Sequence, residues 1–335
     1  MEQGNDLISK CKTYLNYFCN EIPGRAVGSE GNRLATKFFE KQLDSSGWKT
    51  EVSEFDAIDW TGGGAELTVA GESFEAFPSP YSNGCDCRAE LAAAGTIREL
   101  AEGDFKDKII LLHGDIAIEQ LMPKNFVFYN PEEHRRIISL LESSGAHALI
   151  CATGRNAALA GGVYPFPLIE DGDFNIPSVF MTEEEGRRLI NHTGDIVSLR
   201  SDSKRIPSKA ENITGTRGND NRKRIVVTAH IDSKKGTPGA IDNATGVIVL
   251  MLLADLLKDY DGKYLIELAA FNGEDYYSVP GQMNYIRKNQ DNFGDMILNI
   301  NIDGAGYFKG KSSMSFFGLP DGIRGKAESV LNEYS

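Results

Sequence analysis

Little in this chain points to an oxidised, membrane-spanning or nucleic-acid-binding protein. Its 335 residues contain only five cysteines, an odd number scattered at Cys11, Cys19, Cys85, Cys87 and Cys151. Such usage fits reduced thiols in a cytoplasm better than a disulfide framework. Cys85-Asp86-Cys87 has no second Cys or His pair nearby to complete a four-ligand zinc site. No stretch approaches the roughly 20 apolar residues of a membrane span. Met1 to Asp6 has neither a basic start nor an apolar run, so no secretory signal is read there, and a cytoplasmic location is expected. Positive charge is also short: 35 Lys and Arg against 48 Asp and Glu leave a net charge of −13. That argues against nucleic acid and anionic membrane as partners and favours solubility. Internal repeats and low-complexity tracts are lacking as well.

What remains is a globular composition, 41% hydrophobic and 25% charged, on a chain long enough for two domains. Its centre of gravity is the stretch from Arg224 to Gly306. Ile225 to Ala229 is a short continuous apolar run, as a strand buried on both faces requires. Val247 to Leu257 is apolar at helical spacing, with Asp242 and Asn243 as candidate caps before it. Tyr264 to Phe271 predicts a second buried strand, Gly281 to Lys288 a short helix and Met296 to Ile302 a third strand. This alternation predicts an α/β fold, a mostly parallel mixed sheet with helices on its faces.

The acids fall at telling places. His230 and Asp232 follow the first strand, Glu274 and Asp275 follow the second, Asp303 ends the third, and Asp242 sits in the loop leaving the first. All lie at carboxyl ends of strands, where open α/β sheets bind ligands. Five carboxylates and an imidazole gathered there would repel one another unless a cation neutralised them. Histidine with carboxylates suits Zn²⁺, and several carboxylates sharing one site suit a metal pair.

At these residues the chain resembles the co-catalytic zinc aminopeptidases, a family that includes bacterial leucyl aminopeptidase and aminopeptidase Y and, more distantly, glutamate carboxypeptidase and glutaminyl cyclase. The matching motifs are Ala229-His230-Ile231-Asp232-Ser233, Gly239-Ala240-Ile241-Asp242-Asn243-Ala244-Thr245-Gly246, Phe271-Asn272-Gly273-Glu274-Asp275 and Asn301-Ile302-Asp303-Gly304-Ala305-Gly306. The resemblance implies a phosphorylase/hydrolase-like peptidase fold. It implies that His230 and Asp303 bind one zinc, that Asp242 bridges two, and that Asp275 binds the second. It makes Glu274 the general base and has Asp232 orient His230 through its second ring nitrogen. The expected activity is hydrolysis of N-terminal peptide bonds. A carboxypeptidase or glutaminyl cyclase relative is the alternative enzyme, and a catalytically silent peptidase-like binding module is the alternative of another class.

Two departures from the family pattern stand out. Asp275 replaces the usual second glutamate; aspartate is a competent zinc ligand. The histidine that the family carries well after the third strand's aspartate has no counterpart: of His113, His134, His147, His192 and His230, none follows Asp303. The first zinc would keep His230, Asp242 and Asp303, and the second only Asp242 and Asp275, so one ion or none is expected here. We read the chain as a fragment of a longer enzyme, and the other four histidines as surface or structural residues.

Upstream, Leu7 to Phe18 predicts an amphipathic helix, Gly24 to Ser29 a turn whose Ser29 caps a helix from Glu30 to Leu43, and Trp48 to Phe55 an edge-type strand. From Asp56 to Ser203 the pattern shifts to short strands and Gly-rich turns. Asp107-Lys108-Ile109-Ile110-Leu111-Leu112, Ser144-Gly145-Ala146 and Ile176-Pro177-Ser178-Val179 resemble the protease-associated domain. The expected organisation is a catalytic domain of residues 1–56 and 204–335, with a smaller α+β insert, residues 57–203, roofing the site or docking a protein partner. Arg222-Lys223-Arg224 is read as solvated turn.

Overall fold

A computed structural model describes residues 2–22, 24–156, 163–219, 223–275, 277–310 and 313–334. Helix α1 (Glu2–Asn16) runs into a π-helical turn, and α2 (Glu30–Ser45) follows. Ser29 caps α2 as expected, its side chain accepting the Asn32 N–H at 3.1 Å. Then come β1 (Lys49–Val69), β2 (Glu72–Phe74), β3 (Phe77–Pro78) and β4 (Cys85–Ala94). Next are α3 (Ile97–Glu102), β5 (Ile109–Leu112), α4 (Glu132–Ser143), β6 (Ala148–Thr153), β7 (Ser178–Thr182) and α5 (Glu183–Leu189). The chain continues through β8 (Ile196–Arg217), β9 (Arg224–His230), α6 (Thr245–Leu256), β10 (Leu265–Phe271), α7 (Pro280–Asn289), β11 (Met296–Asn301) and α8 (Asp321–Tyr334).

Among the described residues, eleven strands join one mixed sheet, whose main path runs β11-β9-β10-β8-β4-β5-β6-β7-β3. β9 lies parallel between β11 and β10, and β4 to β7 form a second parallel run. The link between the runs is β8, which pairs antiparallel with β10 through its last residues and with β4 through its first.

The region expected to hold only short strands contains the long ones. β1 has 21 residues and β8 has 22, well beyond the usual 3–10. They pair antiparallel from Lys49↔Thr216 to Val69↔Val197, across positions 56/57 and 203/204 alike. Trp48 to Phe55 is thus the start of a ribbon that runs the length of both parallel runs. The register slips once, between Gly62 and Ala65, where an irregularity adds local twist.

The core beside β9 and β10 gathers Phe39, Leu43, Val247, Leu250, Met251 and Leu268, all nearly inaccessible. α6 is apolar on most sides because sheet, α1 and α2 all cover it, and each fully buried aliphatic side chain there contributes ~1.5–3 kcal/mol. Separate clusters fill the β4–β7 region, around Ile110, Leu141 and Phe174 on one face and Leu91, Ile150 and Leu199 on the other. Among the described residues, no helix is long and apolar enough to cross a membrane.

Arg224 is a correction to the sequence reading. Rather than lying in solvated turn, it forms a partly buried ion pair with Glu267 at 3.0 Å and donates to Asn289 at 2.8 Å. Glu267 also accepts from the Tyr285 hydroxyl at 2.6 Å, so the pair ties β9, β10 and α7 together. Arg222 lies outside the described residues.

Candidate metal centre

Strand register decides where the chemistry sits. Phe271 of β10 pairs with His230 of β9, and Asn301 of β11 pairs with Thr228. Two residues past Asn301, Asp303 therefore arrives level with His230. The Ile302 N–H still donates to Thr228 O at 2.8 Å, and the Ile231 N–H to Phe271 O at 2.7 Å. Three parallel strands thus finish together, and the residues after each emerge at one edge.

His230, Asp242 and Asp303 converge there. His230 Nε2 lies 3.0 Å from Asp242 Oδ1 and 3.5 Å from Asp303 Oδ1, and one ligand atom from each of the three lies within 4.8 Å of the others. The histidine is 3% exposed, whereas the two carboxylate side chains are 62% and 43% exposed. An imidazole at the base and carboxylates at the rim leave the outer side open, as a hydrolytic metal site requires.

The donor set passes a physical test. Both ring nitrogens of His230 are buried, yet neither makes an aligned hydrogen bond, a costly condition for polar atoms. A cation held by His230 Nε2 and the Asp242 and Asp303 carboxylates would satisfy that nitrogen and neutralise the acids. Where a proton takes the cation's place, burial pulls the His230 pKa down, but the carboxylates of Asp232, Asp242 and Asp303 outweigh it and leave it raised. The same contact with His230 lowers the Asp242 pKa.

Asn243 fixes the Asp242 limb. Its side-chain oxygen accepts the Gly246 N–H at 3.0 Å, capping α6, and its amide donates to Ile302 O at 2.8 Å. The cap is therefore Asn243 and not Asp242, whose carboxylate turns to His230. Gly246 allows this closeness: a Cβ there would stand 2.4 Å from Asn243 Oδ1 and 2.7 Å from Ile302 O.

Asp232 behaves differently from the expectation. Its oxygen is 3.6 Å from His230 Nδ1, beyond a hydrogen bond. Instead its two oxygens accept the backbone N–H groups of Glu274 at 3.1 Å and Asp275 at 3.2 Å. Asp232 is 1% exposed; it holds the second acidic pair by its backbone and stands close enough to the ring to raise the His230 pKa. Burial raises the Glu274 pKa, with the charges of Asp232, Asp303 and Asp242 adding to it. Asp275 is pushed up to about 8, first by burial and then by Asp232 and Asp242. Asp275 is not one of the three ligands within 4.8 Å. Glu274, His230 and Asp303 border one cavity of about 370 Å³, which Phe128 from the loop before α4 also lines.

Several residues that hold this edge went unread in the sequence. Asn32 and Asn272 exchange amide hydrogen bonds at 2.8 Å each, and Asn212 accepts the Asn272 N–H at 3.1 Å. Arg25, 1% exposed, reaches the loop between His230 and Asp242. For Asn272 the only local signal was its place just before Gly273-Glu274; for Arg25 and Asn32 there was none. Of the remaining histidines, His134 is buried and hydrogen-bonds Glu119 at 2.9 Å, and His192 lies 3.0 Å from Asp195.

Known proteins resemble this chain. Residues 212–335 match the family model described as Peptidase family M28. Aminopeptidase YwaD of Bacillus subtilis is 26% identical over 185 residues, which cover 54% of this chain and 39% of that protein. The Mycobacterium tuberculosis protein named Probable lipoprotein aminopeptidase LpqL is 25% identical over 316 residues, 90% of this chain and 59% of that one. The chain thus spans well under two thirds of either relative. Among solved structures, the aminopeptidase from Aneurinibacillus sp. strain AM-1 superposes with a TM-score of 0.69 at 22% identity, covering 89% of this chain and 70% of that one. BSAP, a zinc aminopeptidase from Bacillus subtilis, gives 0.67 at 21%, covering 89% and 69%. The likenesses show a shared fold, and the sequence matches support the resemblance read from the four motifs.

Proposed function

We propose that this chain, matching Peptidase family M28 over residues 212–335, is the metal-binding part of an aminopeptidase that hydrolyses the N-terminal bond of peptides with zinc. The observation that carries the proposal is the buried His230 ring, both nitrogens unbonded, facing Asp242 and Asp303 at one strand edge. His230, Asp242 and Asp303 would hold one ion; a second would have only Asp242 and Asp275 to hold it. When bound, zinc supplies Lewis acidity to a water and to the scissile carbonyl.

The remaining work falls to the chain's own side chains. Glu274, with its carboxyl pKa raised by burial, takes a proton from the attacking water and passes it to the leaving amine. Asp232 holds Glu274 and Asp275 by their backbones, so that base and ligand keep their spacing. Residues 57–203 form the insert of this proposal, resembling a protease-associated domain and roofing the site. Three contacts support the roof: Phe128 lines the cavity beside His230, Glu170 pairs with Lys234 at 3.3 Å, and Asp173 accepts from Ser278 at 2.9 Å. A cytoplasmic location, the finer part of the proposal, rests on five free cysteines.

The test is zinc content by mass spectrometry beside hydrolysis of aminoacyl p-nitroanilides and of the same compounds with a blocked amine. Stoichiometric zinc, lost in His230→Ala, with cleavage only of free-amine substrates is expected. Equal zinc in wild type and His230→Ala would refute the site, and cleavage from the carboxyl end would refute the aminopeptidase assignment.

A further inference from the structure

The loop from Ile231 to Ile241 has to bring Asp242 back to His230, yet little packs against its middle. Residues 234–238 are five consecutive exposed positions, whereas 231–233 and 239 are buried. Its ends are held by one side chain. Arg25 Nε donates to Ile231 O at 3.0 Å, Nη1 to Pro238 O at 2.8 Å, and Nη2 to Gly239 O at 2.8 Å; Nη1 also reaches Phe18 O at 3.0 Å. In return the Ser233 N–H donates to Arg25 O at 3.3 Å. A buried cation is usually paired with an anion, but here the hydrogen-bond partners are main-chain carbonyls. A planar fork with five donors in fixed directions suits that job, and a lysine ammonium does not.

We infer that Arg25 is a positioning residue for the metal centre. Its guanidinium clamps both ends of the loop separating His230 from Asp242 and so sets how closely those two ligands approach one ion. The inference rests on the metal site proposed above. One clamped point, Ile231, directly follows His230, and another, Gly239, precedes Asp242 by three residues. Gly239 sits in the left-handed region at φ +54°, and a Cβ there would stand 2.4 Å from Ser233 Cβ and 2.7 Å from Arg25 Nη2. The loop is therefore wrapped onto the guanidinium. The same segment reaches the next loop as well: Asn32 donates to Arg25 O at 3.1 Å and exchanges amide bonds with Asn272, two residues before Glu274.

The experiment measures zinc affinity of the metal-stripped chain by competition with a chromophoric chelator, with thermal melts alongside. Arg25→Lys keeps the charge but cannot span Ile231 O and Gly239 O, and Gly239→Ala disturbs the same contact from the loop side. Both are expected to bind zinc ~10–100-fold more weakly, as partners that orient metal ligands do when lost, with kcat recovering toward wild type at saturating zinc. Leu250→Ala, in the neighbouring core, should lower the melting temperature and leave zinc affinity unchanged. Wild-type affinity in folded Arg25→Lys and Gly239→Ala would overturn the inference while leaving the functional reading intact. If Arg25→Lys does not fold, Gly239→Ala decides. Absence of zinc binding by the wild-type chain would overturn both.

Discussion

Replacing Glu274 with glutamine separates a proton-transfer role from a structural one. The side chain keeps its length, and the Glu274 backbone N–H that donates to Asp232 at 3.1 Å is untouched, so the fold and His230, Asp242 and Asp303 should be unaffected. What is lost is a basic oxygen bordering the cavity shared with His230 and Asp303. A positioned general base contributes ~10²–10⁴ in rate, or about 3–5 kcal/mol of barrier. kcat on an aminoacyl p-nitroanilide should fall by that factor with KM and zinc content nearly unchanged. The sign of the pH dependence comes from burial. Glu274 must be ionised to accept a proton, and burial raises its carboxyl pKa in the metal-free chain, so activity should climb with pH. A kcat within about threefold of wild type would remove Glu274 from the proton-transfer role, and loss of zinc along with activity would make it a ligand instead.

Asp275, with a pKa pushed up to about 8, holds a proton in the folded metal-free chain that it has already lost when unfolded above its ordinary ~3.9. Stability from this group therefore falls as pH rises from about 4 to about 8. Urea unfolding in chelator at pH 5 and pH 8.5 should show a smaller drop for Asp275→Asn than for wild type, and an equal drop would refute the assignment. Glu267→Ala leaves the largely covered Arg224 without its carboxylate and frees the Tyr285 hydroxyl, which should cost up to about 3 kcal/mol in chemical denaturation; a loss under ~0.5 kcal/mol would contradict the pair's structural role. Asn243→Ala removes the α6 cap and the tie to Ile302. Denaturation should register a loss of ~0.5–2 kcal/mol for the cap alone, and zinc titration a weaker ion.

The sheet beside the site was readable because its rules are local. Apolar runs of strand length alternating with a helix-spaced run imply parallel strands, and parallel strands deliver the residues just past their ends to one edge. β9, α6, β10, α7 and β11 all lie within a few residues of their expected bounds. The same logic brings His230, Asp242 and Asp303 together. The long β1–β8 ribbon escaped because a half-exposed strand with a glycine irregularity at Gly62 to Ala65 carries only a broken two-residue period. Arg224 escaped because a basic tripeptide after a turn has the composition of solvated surface; its partner Glu267 is 43 residues away.

Residue order alone therefore settled which side chains leave strand ends, since backbone hydrogen bonding and side-chain period are properties of neighbours in the chain. It could not settle what holds those side chains still. Arg25 meets Ile231 across 206 residues and Asn32 meets Asn272 across 240, and no local period records a bond between groups that far apart. That Asp232 also accepts the Glu274 and Asp275 amides was hidden for the same reason. The choice between two acceptable hydrogen-bond partners is made by distance, and distances between separate strands exist only once the sheet has closed.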